Sequence, residues 1–489
     1  MAAADSQPSG SRDATRRRPR SPLLPSWRRD ALRTTLWVVP SILAAIAGLL
    51  FLLTYTLDRA AYEGSLSLPG WVHSGSADAA RQVLIGIAAA VITVTGVVFS
   101  ITILALTLAS QQFGPRMLRN FVRDIGTQIT LGVFVGTFAY AVLALGSIAP
   151  GSHGDFVPDL SVTIALALLL IDLALLIYFI HHISRSIQLP EVIARIARDL
   201  SRSIEVEFPE HGTSNPDVPG VGPSLGVLQT HLDTEGAPVT AAASGYLQFV
   251  GYQELIAIAE ENDAVIRLAH RPGHFVIASR PLATVWPGDA APSVALGFAR
   301  AHVTGPHRTL AQDPVFAVDQ LVEIAIRALS PAVNDTFTAL TCIDWLADGL
   351  CKISARLSAE SVHAGKFGRI RLIEPGSSYA RIVNRAFDKI RQAGRGMPAV
   401  AIRQMDSIAR ILPSTRTAHQ RDVLVRQAQM ILASSEDAIT IAEDRADVSR
   451  RFEAVVLTAH ELSPERPSVH PGDEETVSDD GGPGAASGH

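Results

Sequence analysis

Apolar and polar positions divide this chain into two unlike parts. Four long apolar runs, at 36–57, 83–108, 129–148 and 160–183, fill its first 183 residues, and the remainder reads as water-soluble protein. A helix rising ~1.5 Å per residue needs about 20 apolar residues to cross ~30 Å of hydrocarbon. Each run meets that length, so four membrane-spanning helices are expected. Pro40 falls in the first turn of the first run, where its missing N–H costs little. Trp27, Trp37, Tyr55 and Tyr62 flank that run, and aromatic rings settle at membrane–water interfaces. The run also exceeds the ~7–15-residue core of a secretory signal, which favours an uncleaved span.

Past the last span the periodicity changes. Residues 186–206 set Val192, Ile193, Ile196, Leu200 and Ile204 among Arg195, Arg198 and Arg202. That is the pattern of a basic amphipathic helix, fit to lie on an anionic leaflet or to pack as a neck between membrane and soluble parts. Residues 207–238 are rich in Pro, Gly, Ser and Asp and read as a linker. From 239 to 312, alternating segments around Pro272-Gly273, with a helix at 252–262, point to a small β module. The hairpin pattern at Arg271-Pro-Gly and Pro281-Leu-Ala resembles that of barrel-sandwich, biotinyl- or lipoyl-like folds. The lysine those domains modify is missing, so the resemblance implies shape and not chemistry. Residues 313–462 are helical in pattern, at 316–329, 336–350, 379–393, 397–412, 419–434 and 447–460. Residues 1–30, which are basic, and 463–489, which are acidic, have the composition of disordered ends. The expected fold is an α-helical membrane protein: four transmembrane helices at 31–185, then a cytoplasmic α+β domain with a small β-barrel-like module and a helical region.

Charge orients these parts, because Lys and Arg resist translocation. Arg12, Arg16, Arg17, Arg18, Arg20, Arg28, Arg29 and Arg33 precede the first span, Arg116, Arg119 and Arg123 lie between the second and third, and Arg185, Arg195, Arg198 and Arg202 follow the fourth. The other two connectors are poor in basic residues. Both termini are therefore expected in the cytoplasm of a bacterial cell, with the chain threaded through its inner membrane. A net charge of -5 argues against a nucleic-acid partner. Cys342 and Cys351 have neither metal-ligand nor redox spacing, so a disulfide scaffold and a metal site are not expected. No nucleotide loop, catalytic elbow or cofactor motif appears, so neither a cofactor nor enzymatic activity is expected.

Candidate chemistry concentrates in three places. The second span carries Gly86, Ala90, Thr93, Gly96, Ser100, Thr107 and Gln111 on one face, and the third carries Gly132 and Gly136 followed by Ala139 and Gly146. Small residues let helix backbones approach in lipid, so these faces suit helix or subunit packing, with a homo-oligomer as the expected partner. A polar pathway lined by Thr93, Ser100 and Thr107 is the alternative. Asp172 lies deep in the fourth span, where a charged carboxylate costs at least ~2.5 kcal/mol, and it could bind a proton or cation or hydrogen-bond to a hydroxyl of the second span. At the cytoplasmic mouth stand Gln111, Gln112, Arg116, His181, His182 and Arg185, placed for interfacial anchoring, pH sensing or headgroup binding. In the soluble part, Asp313 and the turn holding Ser330, Asn334, Asp335, Thr336 and Thr338 gather polar groups at a helix start, as a cap or as an anion site.

Several strings together resemble one family. Phe99-Ser-Ile-Thr-Ile-Leu-Ala-Leu-Thr-Leu-Ala-Ser-Gln-Gln-Phe-Gly-Pro-Arg116, Phe134-Val-Gly-Thr-Phe-Ala-Tyr140, Gln312-Asp313 and Arg327-Ala-Leu-Ser-Pro-Ala-Val-Asn-Asp335 look like the bacterial predicted membrane proteins called domain of unknown function 2254. The resemblance covers 32–460. It implies an inner-membrane protein and brings no assigned catalytic residues; a common family form has Pro where this chain has Thr336. Two functions stand open. One is a self-associated membrane unit, channel- or transport-like, coupled to a sensing or regulatory domain; the other is a membrane-anchored scaffold or signalling module that binds a protein or small ligand.

Overall fold

The computed structural model describes residues 37–67, 69–72, 75–113, 124–151, 154–186, 188–208, 222–357 and 361–462. The expected disordered ends, Arg116 and residues 209–221 of the expected linker lie outside them. The chain forms two compact units, up to Val192 and from Ile193 onward.

The first unit holds α1 (Val38–Tyr62), α2 (Ala77–Phe113), α3 (Ile125–Gly146) and α4 (Asp159–Ser186), each long and apolar enough to cross a membrane. A short hairpin of β1 (Ala149–Gly151) and β2 (Gly154–Phe156) joins α3 to α4. Among the four, α3 is buried most completely and meets the other three. Its glycines explain the contact with α1: a Cβ on Gly132 would stand 2.6 Å from Leu43 Cδ1 and 3.0 Å from Pro40 Cα, and one on Gly136 would stand 3.2 Å from Ala47 Cβ. Phe156 of the hairpin meets Tyr55 and Tyr62 edge-on, at 5.7 and 5.4 Å between ring centroids.

The second unit takes up most of α5 (Leu189–Glu207), whose apolar residues Ile193, Ile196, Leu200 and Ile204 are buried. Leu200 Cδ2 lies 2.5 Å from where a Cβ on Gly349 would stand. Of the two roles open to this helix, the structure has its apolar stripe packed into protein. The expected linker contains a helix, α6 (Leu225–Thr234). Next come β3 (Ala237–Thr240), β4 (Gly245–Val250), α7 (Tyr252–Glu261), β5 (Val265–Leu268), β6 (Phe275–Val276), β7 (Pro281–Trp286), α8 (Ala291–Ala301) and β8 (His302–Gly305). The helical region has α9 (Pro314–Ala328) and α10 (Thr336–Arg356), then β9 (Ser361–Ala364) and β10 (Ile370–Glu374), then α11 (Tyr379–Ala393), α12 (Pro398–Ile411), α13 (Ala418–Ala438) and α14 (Ala442–Glu461).

The β module departs from expectation in two ways. Its strands make two open sheets, ordered β3-β7-β5-β10-β9 and β6-β4-β8, and do not close into a barrel. The larger sheet also borrows β9 and β10 from within the helical region, with Leu372 of β10 in parallel register with Ile266 of β5. The module also contains a second helix, α8, which runs straight into β8. The core between the sheets and helices α7 and α8 is built from Leu247, Leu255, Ile266, Leu282, Phe298 and Leu372.

Candidate functional site

In the membrane unit the candidate residues do not converge. Thr93, Ser100, Gly86, Ala90 and Gly96 face outward on α2, and among the described residues no atom of another element stands within 4 Å of a Cβ built on Gly86 or Gly96. The face of α2 that packs inward is instead Leu84, Ile87, Val91, Val98, Thr102 and Ala105. Thr107 is likewise exposed, and both Thr93 and Thr107 bond the carbonyl four residues back, at 2.7 and 2.9 Å, which satisfies a hydroxyl without water. Asp172 lies on the opposite side of this partition: it is 4% exposed and accepts a hydrogen bond from Thr137 at 3.2 Å. Its partner hydroxyl thus comes from α3 and not, as expected, from α2. Its Oδ2 is buried without a partner among the described residues.

The densest polar contact of this unit involves residues the sequence did not single out. Asp58 of α1 accepts hydrogen bonds from Leu160 N at 2.8 Å, Ser161 N at 3.0 Å and Ser161 Oγ at 2.7 Å. These amides open α4 and have no partner within that helix, so a carboxylate 102 residues away acts as its cap. Ser161 Oγ continues to Thr54 Oγ1, and Thr54 Oγ1 to Tyr140 OH at 2.8 Å. The available signal was Thr54-x-x-x-Asp58, two polar residues on one face of an otherwise apolar helix. At the other end of the unit, His182 Nε2 lies 2.7 Å from Asp124 Oδ2, and the His182 ring stacks on Tyr178. Asp124 caps α3 through Thr127 N and Oγ1. Burial raises the Asp124 carboxyl, yet these hydrogen bonds outweigh it and hold the group below its ordinary value. His181 and Arg185 are exposed, while the side chains of Gln111 and Gln112 lie outside the described residues.

In the second unit, the Gln312-Asp313 pair has a mechanical explanation. Gln312 is buried and bonds both backbone groups of Val250, accepting from its N at 2.8 Å and donating to its O at 3.0 Å, so its amide prolongs the β4 ladder. Asp313 caps α9 through Phe316 N and grips Arg308 with both oxygens, at 2.7 and 3.0 Å. Arg308 also donates to Asp319, which Arg385 shares. Asp313 presses on the 271–273 turn: a Cβ on Gly273, whose φ is +91°, would fall 2.0 Å from Asp313 Oδ2. Ser330, Asn334 and Asp335 form a helix start. Asp335 accepts from Thr338 N at 3.1 Å and Thr338 Oγ1 at 2.6 Å, Ser330 Oγ donates to Arg327 O, and Asn334 takes a φ of +50°. Asp313 and this turn lie at opposite ends of α9.

A second cluster is invisible in the sequence because its members come from five segments. Glu207, the last residue of α5, pairs with Arg271 at 2.6 Å, the two side chains being 2% and 12% exposed. The Tyr252 hydroxyl lies 3.5 Å from Glu207 Oε2 and also bonds Glu374. Glu374 of β10 is paired with His363 of β9, whose ring stacks on Tyr252. The Arg271 guanidinium covers the Phe208 ring at 5.7 Å. Burial pushes the Glu207 carboxyl up to about 7, against the pull of Arg271, and raises the Tyr252 phenol. Cys342, by contrast, sits in the helical core with its thiol pushed up by burial to about 12.

With the membrane unit and the clusters placed, comparison with known proteins decides the kinship: the family described as Predicted membrane protein (DUF2254) matches residues 33–410. The chain belongs to this family. Relatives include an uncharacterized protein of Mycobacterium bovis and one of Mycobacterium tuberculosis, each 31% identical over 431 residues, which are 83% of this chain and 79% of theirs. No solved structure matches. Within this DUF2254 protein, the strings that carried the resemblance do structural tasks. Phe134 and Tyr140 fill the centre of the helix unit, Gln312 and Asp313 hold the β module to α9, and Asp335 starts α10.

Proposed function

We propose that this protein is a multi-pass protein of the bacterial inner membrane whose helix unit anchors and self-associates, and whose cytoplasmic soluble unit senses or regulates. The observation that carries the reading is a division of labour among polar groups. In the helix unit they are spent on joining helices, as Asp58 does for α4 and Thr137 for Asp172. In the soluble unit, buried ionisable side chains from separate segments meet in one place. Self-association is supported by the outward stripe of Gly86, Ala90, Thr93, Gly96 and Ser100, which presents little bulk to whatever covers it. A bifunctional reagent applied to native membranes carrying Gly96→Cys tests it. A crosslinked dimer or larger species is expected, absent with the lipid-facing control Leu173→Cys; equal crosslinking of both would refute the α2 interface.

A channel- or transport-like activity is the second reading, and it rests on the buried, unpartnered Oδ2 of Asp172. Because Thr93, Ser100 and Thr107 face away from Asp172's surroundings, any pathway using all four would need more than one chain. Reconstituted vesicles provide the test: flux abolished by Asp172→Asn in a folded protein favours transport, and the same basal leak in wild type and variant favours the anchored regulator.

A further inference from the structure

The cluster around Glu207 has an unusual charge count. Its buried or nearly buried members are two carboxylates, Glu207 and Glu374, and one permanent cation, Arg271, with the partly exposed His363 paired to Glu374 at the edge. The charges facing it from α9 and the segment before it cancel separately, since Asp313 and Asp319 are matched by Arg308 and by Arg385 of α11. Tyr252 reaches both carboxylates but has a single O–H to donate. Two negative charges and one positive charge therefore leave this site one proton short of neutrality, and a net charge in a buried site is costly. A proton taken up by the Glu207 carboxyl is the ligand that balances the site.

We propose that the Glu207, Glu374, Arg271 and His363 cluster is a one-proton binding site that latches the end of α5 onto the β module, and that loss of the proton releases that end. This rests on the sensing role proposed for the soluble unit and names the proton as the thing sensed. The latch has the right members for such a role. Glu207 terminates α5, the helix within which the chain passes from one compact unit to the other, while its partners belong to the 271–273 turn, α7, β9 and β10. The sign follows from Glu207, whose carboxyl is raised from 4.5 to about 7 in the folded protein. A raised carboxyl contributes stability that is fully present below its unfolded value and is lost as pH rises through about 7. His274, in the same turn as Arg271, is held below its ordinary value by burial and by His270, Arg271, Arg381 and Arg308, and so is the competing source of pH dependence.

Hydrogen–deuterium exchange on the full chain in nanodiscs, corrected for the intrinsic pH dependence of exchange, reads the latch directly. Protection of residues 200–208 is expected to fall about tenfold between pH 6 and pH 8, as one linked proton requires, while α13 serves as an unchanged reference. Glu207→Gln removes one carboxylate and makes the site neutral without the proton, so protection should stay high and flat; Glu374→Gln should do the same and substitutes for it if the first variant does not fold. His274→Gln should keep the tenfold fall. The proposal is overturned by a wild-type profile that is flat within twofold, by a fall that persists in Glu207→Gln or Glu374→Gln, or by a fall that vanishes in His274→Gln. A flat wild-type profile would leave the wider sensing role standing, to be pursued with a ligand other than the proton.

Discussion

Asp58 holds the start of α4 from another helix, which gives a single carboxylate the weight of a tertiary contact. Removing it with Asp58→Ala strands the amides of Leu160 and Ser161 in a buried setting and is expected to cost about 1–3 kcal/mol, measured as a fall in thermal unfolding temperature in detergent. Asp172→Asn should behave differently. Its Oδ2 has no partner to lose among the described residues, and the amide can still accept from Thr137, so the same measurement should show no loss beyond about 0.5 kcal/mol. In the second unit Asp335→Ala removes the cap of α10 and should cost about 1 kcal/mol, with Asp335→Asn largely restoring it because Asn also caps well. Caps of this local kind were legible, since Asp335 and Thr338 are three residues apart. Asp58 was not, because nothing in a sequence brings it to Ser161.

The two glycine-bearing helices separate at the scale of elements. Both α2 and α3 carry small residues on one face, and the sequence pattern treats them alike. In α3 the glycines receive α1, so Gly132→Val should overpack against Leu43 and Pro40 and destabilise the unit by about 1–3 kcal/mol. In α2 nothing among the described residues comes within 4 Å of a Cβ on Gly96, so Gly96→Val should leave the unfolding temperature of the dispersed monomer unchanged and weaken self-association, read by native mass spectrometry. The helices of the second unit were readable from periodicity, with Tyr379–Ala393 found at its expected bounds. Strands β9 and β10 were missed for a physical reason: β10 gains its strand character by pairing with β5, far away in the chain, and β9 by pairing with β10, and a lone short strand has no local signal strong enough to declare it.

For the whole molecule, orientation is the property most open to test. If both termini are cytoplasmic, a maleimide unable to cross the bilayer should label Ser65→Cys in intact cells and leave the wild-type Cys351, in the soluble unit, unlabelled until the cells are lysed. Labelling of the wild type in intact cells would reverse the assignment. The sequence by itself determined the four spans and the amphipathic character of α5, because length, apolar content and helical period are local quantities that act on a segment before it meets another. It also determined the kinship, through contiguous strings. Tertiary structure alone decided that the β strands form two open sheets, that the stripe of α2 faces out while Gly132 and Gly136 of α3 face in, and that Glu207, Arg271, Tyr252, Glu374 and His363 gather in one cluster. Those outcomes depend on which segments approach one another, and charge balance in a buried site exists only once the separate side chains have been brought together.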